Sequence, residues 1–135
     1  MSNFVIFDTS VFIEHLRTGR HRQPIEEITG LIRSSSIVLA ELWRGATKPA
    51  EYQFLRALQR NHPVLTPTEK NWLESGKILG KIRVDKGFAA DKLRDLHFDV
   101  LIALTARSHG ARLVSSNRYA FELIRAYQDF RLEIW

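Results

Sequence analysis

Near its start the chain reads Phe4-Val5-Ile6-Phe7-Asp8-Thr9-Ser10. Four apolar residues without a polar alternate fit a strand buried on both faces. Such strands belong to parallel sheets with helices packed on each side. The carboxylate that ends the run adds a second constraint. A charge at a buried strand end is costly unless something pairs with it, and open α/β sheets bind ligands at the carboxyl ends of their strands. Asp8 is therefore either the cap of the next helix or a ligand of a bound cation, and the other carboxylates must decide.

The rest of the pattern agrees with alternating short strands and helices. Helical spacing is expected over residues 10–16, with Thr9 or Ser10 as cap, and over 24–33, with Ser34-Ser35-Ser36 as a break. Ile37-Val38-Leu39 reads as a second strand and 40–45 as a helix closed by Gly45. Amphipathic helices are expected over 50–60 and 67–84, with a short third strand at Val64-Leu65 between them. Residues 99–109 form a helix apolar nearly all round, hence buried, started by Asp99 and stopped by Gly110. Residues 112–115 read as a strand, 117–127 as a helix and 130–135 as a last strand. The alternation implies an α/β fold with a mainly parallel sheet covered on both faces.

A chain of 135 residues fits one domain over 1–135. It has no cysteine, which excludes disulfides and thiolate chemistry and suits a reducing cytoplasm. No apolar stretch is long enough to span a membrane, and the N-terminus does not read as a signal peptide. The net charge is +5, from 20 Lys and Arg against 15 Asp and Glu. That balance suits a polyanion, most simply nucleic acid. Arg17, Arg20 and Arg22, with Gly19 among them, suggest an exposed basic loop, and Arg44 and Lys48 follow Glu41.

Phosphate-loop, dinucleotide-binding, nucleophile-elbow and zinc-protease motifs are all missing, and the five histidines lack metal-ligand spacing. What remains is a set of carboxylates at expected boundaries. Asp8 ends the first strand, Glu41 follows the second, and Asp99 opens the buried helix, where the helix dipole favours a negative charge. Taken singly, Asp99 is a helix-start residue and Glu41 a surface partner of Arg44. Convergent, they need a hard divalent cation such as Mg²⁺ or Mn²⁺.

The order of these segments resembles the PIN-domain family. Phe7-Asp8-Thr9-Ser10 looks like its first motif, and Ser36 to Leu42, with Gly45 beyond, like its second. Phe98 to Ala106 looks like the third, and Gly110 through Leu113-Val114-Ser115-Ser116-Asn117, then Phe121, like the fourth. The resemblance runs over essentially the whole chain, and its style is similar to VapC-type toxins of prokaryotic toxin–antitoxin modules. It implies a three-layer α/β/α fold with a short-stranded, mainly parallel central sheet.

The same resemblance implies a Mg²⁺-dependent endoribonuclease that leaves a 5′-phosphate. Asp8 and Asp99 would be the principal metal ligands and Glu41 the third acidic residue, in catalysis as in metal binding. Ser10 would support Asp8, Ser115 would replace the usual threonine, and Asn117 would fill a position held by Asn or Asp. Many relatives have a further acidic residue, at the position of Asn117 or just before the phenylalanine, where this chain has Ala120. Asp95 is the candidate for that fourth corner, with Asp91 behind it. Arg17, Arg20, Arg22, Arg44 and Lys48 would hold the RNA backbone. A VapB-type antitoxin, a homodimer and a toxin–antitoxin hetero-oligomer are implied as partners. The alternatives are a catalytically impaired PIN domain acting as an RNA-binding or regulatory module, a DNA-directed metal nuclease, and a small nucleotide-binding domain, which lacks its phosphate loop.

Overall fold

The apolar run forms a strand, β1 (Phe4–Phe7), with Val5, Ile6 and Phe7 fully buried, in a computed structural model that describes residues 3–135. Met1 and Ser2, the start of the expected 1–135 domain, lie outside the described residues. After β1 come α1 (Thr9–Thr18), α2 (Arg22–Glu27), β2 (Leu31–Ser35), α3 (Ser36–Gly45), α4 (Pro49–Asn61) and β3 (Val64–Leu65). Then follow α5 (Glu69–Lys86), α6 (Ala90–Ser108), β4 (Arg112–Ser115), α7 (Arg118–Arg125) and β5 (Arg131–Ile134). The five strands form one sheet in the order β3-β2-β1-β4-β5, and every pairing is parallel.

That order decides where a site can form. From β1 the chain steps outward to β2 and β3, then crosses back to β4 on the other side of β1. The connections diverge at the carboxyl ends of β1 and β4, which opens a crevice there. Phe7 pairs with Val114, and the Asp8 amide continues the ladder by donating to the Val114 carbonyl at 2.8 Å. In one group of helices α3 packs against both α1 and α4, in a second α6 packs against both α5 and α7, and α3 also meets α6. At the heart of the second group is α6, in which every residue from Val100 to Ala106 is buried, as its all-round apolar sequence predicts.

Several expectations need correction. Residues 24–33 are not one helix: α2 stops at Glu27, and the chain turns through Gly30, at φ 122°, into β2. A Cβ at residue 30 would lie 2.7 Å from the Asn3 carbonyl, so this turn needs glycine. Ile37-Val38-Leu39 is not a strand but the first turn of α3. The serines are the strand-to-helix junction rather than a break, because Ser35 Oγ accepts the Val38 amide as N-cap. Glu41 therefore projects from a helix, not from a strand end. Nor does Asp99 open its helix: α6 begins at Ala90 and carries Asp99 in its middle, which removes the dipole argument. The α1 cap is Asp8 rather than Thr9 or Ser10.

Candidate functional site

Asp8 is 3% exposed at the end of β1. Its Oδ2 accepts from Ser10 Oγ at 2.7 Å and from Ser115 Oγ at 2.9 Å, and the Ser10 amide adds a longer contact. Each hydroxyl is itself fixed from behind. The Ser116 amide donates to Ser10 Oγ at 3.1 Å, and the Asn117 amide donates to Ser115 Oγ at 2.9 Å. With their lone pairs engaged by backbone N–H groups, both hydroxyls are left to donate to the carboxylate. Asp8 is thus the cap of α1 and, at the same time, a rigidly held carboxylate.

Glu41 approaches from α3, and its Oε1 accepts from Thr9 Oγ1 at 2.9 Å. Asp99 approaches from α6, and Asp95 stands one turn before it on the same helix. Electrostatics ties the set together. Burial raises Asp8 above the ordinary carboxylate range, against the pull of its serine hydrogen bonds. Burial also raises Glu41, helped by the charge of Asp8 and opposed by Thr9 and Arg44. Asp99 is pushed up to about 8, first by burial and then by the charges of Asp8, Glu41 and Asp95. Carboxylates from three separate elements therefore share one field.

The donors are all hard oxygens, which fits Mg²⁺ or Mn²⁺ and not a soft metal. Among the described residues, no three His, Asp or Glu side chains stand close enough to form a closed ligand set. An open site is what Mg²⁺ uses, since it keeps several waters and takes one or two carboxylates.

The supporting residues fall into two groups. Ser10 and Ser115 touch Asp8, whereas Asn117 caps α7, its Oδ1 accepting the Ala120 amide at 3.2 Å. Asp95 is exposed beside Asp99, and Asp91 lies in the first turn of α6, paired with Arg94 at 2.7 Å. The basic residues are dispersed rather than gathered on one loop. Arg17 ends α1 and lines a cavity with Glu41, Leu42 and Glu51. Arg20 pairs with Glu14 at 3.7 Å and Arg22 with Glu26 at 3.2 Å. Arg44 acts on Glu41 through its charge, and Lys48 stands at the start of α4.

Sequence reading missed two contributors. Thr9 was read only as a cap, yet it anchors Glu41. Ser116 joins the Asp8 network to the pair of half-exposed Glu14 and buried His21, for its Oγ lies 3.3 Å from Glu14 Oε2, which meets His21 Nε2 at 2.7 Å. The run of hydroxyls after Asp8 and after Val114 was the available signal, although side-chain partners are set by the β1–β4 pairing.

Comparison with known families matches the PIN domain over residues 5–126. Comparison with curated proteins gives no match. Among solved structures, the DNA-bound VapBC of Salmonella typhimurium is similar at 23% identity and TM-score 0.74, covering 100% of this chain and 99% of that one. VapBC2 of Rickettsia felis, bound to a promoter DNA fragment, is similar at 21% identity and TM-score 0.71, covering 98% of each chain. VapBC-1 of nontypeable Haemophilus influenzae is similar at 21% identity and TM-score 0.70, again over 98% of each. At these identities the solved structures speak for the fold. No helix among the described residues is long and apolar enough to cross a membrane.

Proposed function

The chain belongs to the PIN domain family, a family of nucleases, and on that premise we propose that residues 1–135 form one Mg²⁺-dependent endoribonuclease domain, the VapC-type toxin of a toxin–antitoxin pair. The observation that carries this reading is the shared field of Asp8, Glu41 and Asp99 at the sheet's switch point. An RNA phosphodiester is an anion, so this field must be neutralised before the substrate can approach. A divalent cation supplies that neutralisation and the Lewis acidity that activates water.

Asp8 and Asp99 are the residues that would hold it. The Ser10 and Ser115 hydroxyls keep the Asp8 carboxylate oriented and oppose the rise in its pKa that burial causes. Glu41 completes the acidic set, and with Oε1 anchored by Thr9 its carboxylate takes the proton of the attacking water. Asn117, a neutral cap where many relatives carry an acidic residue, leaves only the exposed Asp95 as candidate for the fourth corner, which favours one firmly held cation over two. Arg17, Arg44 and Lys48, with Arg20 and Arg22 further round, attract the RNA backbone.

The similar solved structures are VapBC complexes, which supports a VapB-type antitoxin as partner; a cytoplasmic hetero-oligomer built on a toxin homodimer is part of the same proposal. An antitoxin arginine reaching Asp8 or Asp99 would make a bidentate ion pair and occupy the cation's place.

Asp8→Asn and Asp99→Asn should each abolish RNA cleavage while circular dichroism and a cooperative melt persist. A folded variant with wild-type activity overturns the site. Induction of the chain in its native host should arrest growth, relieved by co-expressing the adjacent small reading frame. A harmless chain overturns the toxin reading.

A further inference from the structure

Next to the carboxylates lies an aromatic and cationic patch that the reaction does not use. Lys92, Asp95 and Asp99 follow one another at i, i+3 and i+7 and so share one face of α6. They span about 10 Å along its axis. The start of α7 lies against this face, and Asn117 and Tyr119 close with them a cavity of about 170 Å³. Tyr119 is 61% exposed, a large ring left in water at the edge of the acidic site. Lys92 Nζ sits 5.1 Å from the centre of the Tyr119 ring and 5.2 Å from that of Phe88. Two cation–π contacts hold the ammonium beside the site. Neighbouring Arg118 is engaged elsewhere, with Glu122 at 2.9 Å.

We propose that Tyr119 and Lys92 form a nucleobase subsite for single-stranded RNA. The base flanking the scissile phosphate stacks on the Tyr119 ring, and Lys92 meets the adjoining phosphate. The assignment rests on the ribonuclease reading above and adds to it the grip on the strand. An exposed ring beside a cation is the pairing with which proteins hold single strands, and the stacking tolerates any base because every base has a π face. The subsite therefore fixes strand position rather than sequence.

The test is binding of a 12-nucleotide single-stranded RNA carrying 2-aminopurine at successive positions, with Ca²⁺ in place of Mg²⁺. On the wild-type chain, fluorescence should be quenched at one position. Tyr119→Phe should keep the quench, whereas Tyr119→Ala should lose it and bind about 5- to 150-fold more weakly. Lys92→Ala should lower the salt slope of binding by about 0.7, and Tyr119→Ala should leave that slope unchanged. Wild-type binding with the same quench and affinity in Tyr119→Ala overturns the subsite alone. A wild-type chain that binds no RNA overturns the subsite together with the ribonuclease reading.

Discussion

Asp99 is where one residue's environment yields a measurable consequence. Its carboxyl is raised from 3.8 to about 8 by burial and by three neighbouring carboxylates. Between these values the folded chain binds a proton that the unfolded chain has released, so this residue's contribution makes stability fall as pH rises. In chelator, the wild-type melting temperature should drop between pH 5 and pH 8. Asp99→Asn should flatten that drop and stabilise the chain by roughly 1–3 kcal/mol at pH 8. Mg²⁺ should stabilise the wild type more at pH 8 than at pH 5, because cation and proton compete for the same oxygens. Calorimetry across this range checks the assignment, and an unchanged pH slope in Asp99→Asn would sink it. The identity of Asp8, Glu41 and Asp99 as candidates was legible from residue type and position. Their electrostatic coupling was not, because it depends on distances between elements far apart in sequence.

At the scale of the element, α3 carries Glu41 to the site, and its start depends on one buried serine. Ser35 is 1% exposed and caps α3 through the Val38 amide. Ser35→Ala should lower stability by about 1 kcal/mol, seen as a lower urea midpoint at unchanged slope. A midpoint equal to wild type would show that the cap contributes nothing. The same junction explains why residues 24–39 were misread. Ile25, Ile28, Leu31 and Ile32 recur at helical spacing, yet Leu31 and Ile32 belong to β2 and pair with Phe4 and Val5. Ile37-Val38-Leu39 has the composition of a strand, but Val38, Leu39 and Leu42 are the buried face of a helix. Short apolar runs suit either structure, and tertiary pairing overrides local preference. Longer patterns such as α4 and α5 are helices in sequence and structure alike because several turns of consistent periodicity leave little ambiguity, whereas α6 begins at Ala90, nine residues before the expected start at Asp99.

For the whole molecule, the central fact is a chain of net charge +5 built around an acidic pocket. The excess of cations over the surface attracts a polyanion, while the pocket repels it until neutralised. Binding of single-stranded RNA should therefore weaken with salt. Replacing both Arg44 and Lys48 with alanine should reduce the slope of log affinity against log salt by about 1.4. An unchanged slope would place the RNA backbone on another face. The sequence by itself determined the class of fold, the buried strand and helix at its centre, and the carboxylates available for chemistry, since these follow from hydrophobic pattern and residue type. Only the tertiary structure decided that β1 and β4 lie side by side, that Ser115 and Ser10 grip the same oxygen of Asp8, and that α3 and α6 bring Glu41 and Asp99 into its field. Those relations join residues up to 107 positions apart, and no local pattern encodes a contact that chain crossover creates.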